Sequence, residues 1–354
     1  MTKNSDDRQS TSASEVAPVS SPASLPNVPQ IIVQMPPQPG LLKSALVRLL
    51  IPILILSLLL NYSLLQQNSN SDSGPQEAFV SGDDGAKERI AIIDVSGTIM
   101  PPFTSRIIEA VEHATDDDDV KGVILAIDSP GGFVADSHQI YHRLLKLAEK
   151  KPVYVSMKRI AASGGVYVAM GIGESGKIFA EPTTWTGSIG VIIPRYDLSG
   201  LAAKFGVASD SLTTGPFKDS LNPLRPMRDD ERVVWDAIMD DSFDRFVEIV
   251  ATGRKGLDEA TVREKLATGQ IFTANQALAN GLIDAIAFEE EVVETLQKDL
   301  ALEKVRVIRY QFPATLLDVL MGSAESQDPD VYWRKAMEAT VPRAMYYCSW
   351  LPAL

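Results

Sequence analysis

Ser163 stands in IAASGGVYVAM (160–170), between the apolar run VYVSM (153–157) and a stretch of small residues that reads as helix. A serine at a strand-to-helix turn faces the helix N-terminus, where free N–H groups favour developing negative charge. Gly164 and Gly165 let backbone approach a substrate with no Cβ in the way. That arrangement suits a nucleophile beside an oxyanion site. A serine N-cap ahead of a tightly packed helix has the same signature. SPGG (129–132) follows the run KGVILAID in the same manner. Ser129 can order this turn, Pro130 fixes φ, and Gly131 and Gly132 present unhindered N–H groups. Alone this is a turn; one βαβ unit before Ser163 it offers a second oxyanion donor.

A serine nucleophile needs a base. The chain has only His113, His138 and His142, all before Ser163 and none in a catalytic context. Lysine is the remaining common base. Lys218 lies in GPFKDSLNP (215–223), a loop bounded by Gly and Pro that could hold it rigidly. At a pKa of about 10.4 only about one lysine in 2,500 is neutral at pH 7, so a working base needs burial or nearby positive charge. The adjacent Asp219 opposes this and is expected to turn to a backbone or arginine partner.

Three other patterns read as structure. His138 and His142 share a helix face at i, i+4, but Gln139 replaces the glutamate of a zinc-peptidase motif, so they read as exposed helix residues. TGSIG (186–190) has Thr186 where a nucleophile elbow has its first glycine, and reads as a tight turn into a strand IGVII (189–193). The run Asp116–Asp119 reads as a solvated turn rather than a cation site.

These segments need a scaffold. The 354 residues are 45% hydrophobic and 22% charged, which fits a globular body with tails. One cysteine, Cys348, excludes a disulfide framework and a cysteine-rich zinc site. The net charge of −13 argues against general nucleic-acid binding. Residues 1–40 read as a disordered, partly polyproline-like tail. Residues 41–66 are apolar enough to predict a retained transmembrane anchor. Lys43 and Arg48 before its uninterrupted apolar run, which starts at Leu49, and acidic residues after it predict a single-pass inner-membrane protein. Its N-terminus would be cytoplasmic, its body extracytoplasmic, and its helix in contact with lipid.

Residues 67–87 read as linker, 88–310 as the body and 311–354 as a C-terminal extension. In the body, strands are predicted at 89–95, 121–128, 153–157, 177–180, 189–193 and 305–310. Helices are predicted at 103–115, 134–150, 228–252, 258–268, 273–280 and 288–302. Alternating strands and helices mean an α/β fold with a largely parallel sheet. The aromatic end, with Trp333, Tyr346, Tyr347 and Trp350, is expected to dock in a substrate groove or on a neighbouring protomer.

The segments SPGG (129–132), AASGG (161–165), TGSIGV (186–191), G-x-x-KD (215–219) and QIFTANQALANGLIDAI (270–286) occur in this order. In this the chain resembles the signal peptide peptidase A family of serine proteases (peptidase family S49), in its short single-copy form, over about 89–300. The resemblance implies a caseinolytic-protease/crotonase-like fold of stacked ββα units, preceded by the transmembrane helix. It implies Ser163 as nucleophile and Lys218 as general base, with Gly132 and Gly164 at the oxyanion hole. It further implies peptide substrates, including remnant signal peptides and unfolded or membrane segments, and no cofactor or metal. The resemblance also implies a homo-oligomer whose active site is shared between protomers. Lys158 stands where the family has glycine, and is a tuner of Lys218, a cation pointing to solvent, or the alternative base; Val166 replaces an aromatic and is expected to reshape the groove wall. Two other functions remain on the sequence alone: a crotonase-like enzyme acting on coenzyme A thioesters, and a silent peptide-binding scaffold.

Overall fold

The computed structural model describes residues 50–59, 61–62, 74–312 and 345–347. The strands are β1 (Gln76–Gly82), β2 (Arg89–Ser96), β3 (Val120–Ser129), β4 (Gly131–Phe133), β5 (Val153–Ala162), β6 (Lys177–Ala180), β7 (Trp185–Gly187), β8 (Ile271–Thr273), β9 (Ala285–Ile286), β10 (Arg306–Gln311) and β11 (Met345–Tyr347). The helices are α1 (Phe103–Asp116), α2 (Val134–Ala148), α3 (Gly164–Ala169), α4 (Ser199–Lys204), α5 (Asp229–Gly253), α6 (Ala274–Ala279) and α7 (Glu289–Asp299).

Among the described residues nine strands form one sheet, in the order β1-β10-β2-β3-β5-β6-β9, with β7 beside β5 and β8 beside β7. Its centre is parallel, and β1 and β8 add antiparallel partners. The alternation within β2 shows why the sheet is covered on both sides. Ala91, Ile93 and Val95 face the large core under α1, α2, α3 and α5. Ile90 and Ile92 face a smaller core against Val292 and Leu296 of α7. A strand buried on both faces reads as the uninterrupted apolar run of the sequence.

The predicted α/β class is therefore observed, but three local expectations change. Residues 76–82, within the expected linker, form β1 on β10. No strand forms over 189–193; the chain pairs instead at β7 and leaves the sheet where Ser188 takes a positive φ of 51°. The expected helix at 258–268 is a short turn at Glu259–Thr261 followed by a π-helix at Val262–Leu266.

The transmembrane helix expected over 41–66 does not hold. Among the described residues no helix is long and apolar enough to cross a membrane. Described helical residues there are 50–59 and 61–62. Ten helical residues rise about 15 Å, half of a hydrocarbon core about 30 Å thick. The rest of 41–66, and all of the 1–40 tail, lie outside the described residues. The lipid contact, the single-pass inner-membrane placement and the cytoplasmic/extracytoplasmic orientation rested on that helix and fall with it.

Candidate active site

Ser163 occupies the turn between β5 and α3. Its φ of 53° and ψ of −113° lie outside the regions that L-residues favour. Such strain costs about 1–3 kcal/mol and persists only where the surroundings over-determine it. Two backbone bonds do so. Ser163 N–H donates to the Gly187 carbonyl at 2.7 Å, and the Ser163 carbonyl accepts from Tyr167 N–H at 3.0 Å. The TGS segment thus anchors the nucleophile turn from the neighbouring β7, a role its sequence pattern did not reveal. The Ser163 side chain is fully buried, and its Oγ has no hydrogen-bond partner among the described residues. With six residues, α3 is too short for much of a dipole; the backbone N–H groups themselves are the relevant donors.

The SPGG turn is built by its own serine. Ser129 Oγ donates to the Gly97 carbonyl at 2.6 Å and accepts from Gly131 N–H at 3.1 Å. Next, Ile99 N–H donates to the Gly131 carbonyl, and Phe133 N–H donates to the Ile99 carbonyl, both at 2.9 Å. Alternation along β4 then turns the N–H and C=O of Gly132 to the opposite side. Gly132 must be glycine: a Cβ there would lie 2.0 Å from the Ile99 carbonyl oxygen. A Cβ on Gly164 would lie 3.0 Å from the Gly132 nitrogen. The two glycines expected at the oxyanion hole are therefore in contact, directly beside Ser163.

Across the free side of β4 runs β11. Met345 pairs with Phe133, Tyr346 with Gly132 and Tyr347 with Gly131, antiparallel. A segment of the aromatic end thus lies as an added strand along the edge that carries Gly132.

Lys218 is exposed in the 215–223 loop, and no hydrogen bond joins it to Ser163 within one chain. Its loop is cinched from several sides. Arg228 Nη2 donates to the Pro216 carbonyl at 2.8 Å, and Trp235 Nε1 donates to Ser220 Oγ at 3.0 Å. Asp219 turns to Arg225, with Nη2 to Oδ1 at 2.8 Å, and the Arg225 hydrogen bond holds its carboxyl below the usual range. Arg225 also reaches the fully buried Glu231 at 2.5 Å. Hydrogen bonding from Arg225 and from the Arg228 backbone N–H, against the opposing cost of burial, brings the Glu231 carboxyl down to about 2. Asp219 therefore has the arginine partner its sequence position called for.

Lys158 is engaged elsewhere. Its Nζ lies 2.9 Å from Glu181 and 3.3 Å from Glu289, within a network that continues to Arg309 and Asp94. Two carboxylates compensate its charge, which removes the reason to assign it as base or as tuner of Lys218. Val166 is fully buried in the large core and lines no groove.

The remaining patterns are structural. His138 and His142 are exposed on α2; burial, Arg245 and His142 lower the His138 pKa, and its Nδ1 lies 2.8 Å from Tyr167 Oη. Among the described residues the one cluster with metal-ligand spacing is Glu77, His113 and Asp117. The Arg89 guanidinium already pairs with both of its carboxylates. Asp284, in the Gly-Leu-Ile-Asp segment, accepts Arg254 through both oxygens at 2.8 and 2.9 Å and Ile178 N–H at 2.7 Å, tying the end of α5 to β6.

A strained serine between strand and short helix stands beside two touching glycines on a parallel α/β sheet. The profile of the family described as peptidase family S49 matches residues 146–303, and that of Clp protease matches 86–186. An Enterococcus faecium protein provisionally named signal peptide peptidase SppA is 36% identical over 243 residues, covering 65% of this chain and 69% of the relative. A provisionally named Synechocystis protease is 40% identical over 205 residues, covering 58% of this chain and 72% of the relative. The chloroplastic serine protease SPPA of Arabidopsis thaliana is 30% identical, covering 68% of this chain and 37% of the relative. The chain belongs to the signal peptide peptidase A family of serine proteases, peptidase family S49.

Proposed function

We propose that this chain, a short single-copy member of its family, is a serine endopeptidase in which Ser163 is the nucleophile and Lys218 the general base. The N–H groups of Gly132 and Gly164 bind the oxyanion. Substrates are peptides and unfolded segments that lie as an extended strand along β4. The observation that carries this reading is the buried Ser163 Oγ, without a partner among the described residues, at a positive-φ turn beside two glycines that leave no room for a Cβ.

In the first half-reaction Ser163 Oγ forms a bond to the scissile carbonyl carbon and its proton passes to neutral Lys218 Nζ. The carbonyl π pair moves onto oxygen, where the glycine N–H groups meet it. The C–N bond then breaks, and Lys218 returns the proton to the leaving amine. Water attacks the acyl-enzyme, giving one proton to Lys218, and Ser163 Oγ leaves with that proton as the acid product departs. No step calls for a cofactor.

Within one chain no hydrogen bond joins Lys218 to Ser163, and we place the dyad across a protomer interface. Exposed apolar residues surround the Lys218 loop in sequence: Phe205, Leu212, Phe217, Leu224, Val233 and Ile238. An apolar surface of this kind suits burial against a second copy.

A fluorophosphonate probe tests the nucleophile. Full-length protein that cleaves a fluorogenic peptide should be labelled at Ser163, as located by peptide mass mapping. Active protein labelled elsewhere, or not at all, would remove Ser163 from the reading.

β-Strand addition is how many peptide sites gain affinity from backbone alone. On this view β11 competes with substrate for β4. Deleting residues 342–354 should raise kcat/KM for short peptides several-fold with kcat little changed. An unchanged kcat/KM, with unchanged assembly, would mean that this strand does not guard the site.

A further inference from the structure

Ser163 is one of two buried hydroxyls without a partner at this turn. Ser137, the fourth residue of α2, is fully buried, and its Oγ makes no hydrogen bond among the described residues. An unpaired buried hydroxyl costs about 1–3 kcal/mol. A helical serine has a ready remedy in the carbonyl four residues back, and Ser137 does not take it. Its Oγ lies instead 2.7 Å from the point that a Cβ on Gly164 would occupy. The Gly132 nitrogen lies 3.0 Å from the same point. The hydroxyl, the Gly132 nitrogen and the Gly164 backbone therefore converge on one small space. The hydroxyls of Thr104, Ser156 and Tyr310 are also unpaired, but none is among the atoms nearest to either glycine.

We propose that Ser137 is a third donor of the oxyanion pocket, its O–H directed at the carbonyl oxygen held by Gly132 and Gly164. The proposal rests on the reading of Ser163 as nucleophile. When Ser163 Oγ bonds to the carbonyl carbon, negative charge collects on that oxygen. The Ser137 proton meets it as a hydrogen bond and stays on Ser137. Among the described residues the hydroxyl has no partner, so its contribution is made mainly in the transition state, where it raises kcat. An alanine would fill the same space without burying an idle polar group. A serine there lowers stability and is explained by what it does during the reaction.

The test compares wild type, Ser137→Ala and Ser163→Ala as full-length protein, measuring kcat and KM on a fluorogenic peptide, inhibition by a peptide aldehyde, and thermal unfolding. For Ser137→Ala, kcat should fall about 10- to 100-fold with KM within twofold. The aldehyde, whose adduct places an oxygen in the pocket, should weaken by a similar factor. The unfolding temperature should stay level or rise, because an unpaired buried hydroxyl has been removed. A kcat within twofold of wild type overturns the proposal, and so does a loss of kcat that tracks a fall in unfolding temperature. If Ser163→Ala turns over like wild type, the nucleophile reading falls and this one with it. If Ser163→Ala is inactive and Ser137→Ala is not impaired, only this proposal falls.

Discussion

Ser163→Ala and Lys218→Ala should each lower peptide cleavage on the order of 10⁴-fold or more, because members of a nucleophile–base pair act as a unit. Mixing the two inactive proteins should restore activity. The reason is geometric: Ser163 Oγ has no partner among the described residues of its own chain, and Lys218 stands exposed on a separate loop. If a site takes its serine from one protomer and its lysine from the next, random co-assembly gives about a quarter of the sites both groups. Mixed samples, dissociated and reassembled together, should therefore regain about a quarter of wild-type kcat per site, with KM unchanged. Peptide turnover and oligomeric size would be recorded on the same samples. Mixtures that stay inactive while co-assembled would place both groups within one chain. Activity retained by Lys218→Ala alone would remove Lys218 as the base.

The second large effect concerns the clasp behind the Lys218 loop. Glu231→Ala should destabilise the folded chain by about 3 kcal/mol, since it strips the buried partner from Arg225 and Arg228. The milder Glu231→Gln keeps the shape and loses the charge-assisted bonds, for about 2 kcal/mol. Acid should reveal the same clasp. The Glu231 carboxyl titrates at about 2 in the folded chain, against 4.5 ordinarily, chiefly because Arg225 hydrogen-bonds to its ionised form. A depressed folded pKa means stability that is complete above pH 4.5 and lost as pH falls toward 2. Asp219, lowered for the same reason, adds in the same direction. Denaturant titrations of wild type and Glu231→Gln at several pH values would show it: the wild-type slope in that window should flatten in the variant. Parallel slopes would mean the clasp contributes nothing to the acid limb. Peptide cleavage by Glu231→Gln should also fall at neutral pH, as the loop bearing Lys218 loosens.

How much of this was legible in the sequence depends on whether the signal is local. Strands β2, β3 and β6 and helices α1, α2 and α5 follow from buried apolar runs and helical spacing, which are properties of short windows. Ser163 with its two glycines, and SPGG, were equally legible, because turn chemistry at a strand end is local. The segment 189–193 misled because an apolar run does not show whether a partner strand lies beside it. Ile189 is buried, yet its carbonyl accepts Gly269 N–H from a loop rather than from a strand. The apolar stretch in 41–66 misled differently: composition sets the potential to span a bilayer, while described helix length there reaches only half of one.

The sequence by itself determined the α/β class, the strand-to-helix turn that carries Ser163 and the glycine-rich turn beside it. Only the tertiary structure decided what these groups touch. It bound Lys158 to Glu181 and Glu289, and it turned Asp219 to Arg225. It also buried Ser137 against Gly164, without a partner among the described residues, and laid Met345–Tyr347 along Gly131–Phe133. Each of the latter two joins residues tens to hundreds of positions apart. Spacing along a chain specifies neighbours one or two turns away; contacts at longer range exist only once the sheet has set its strand order.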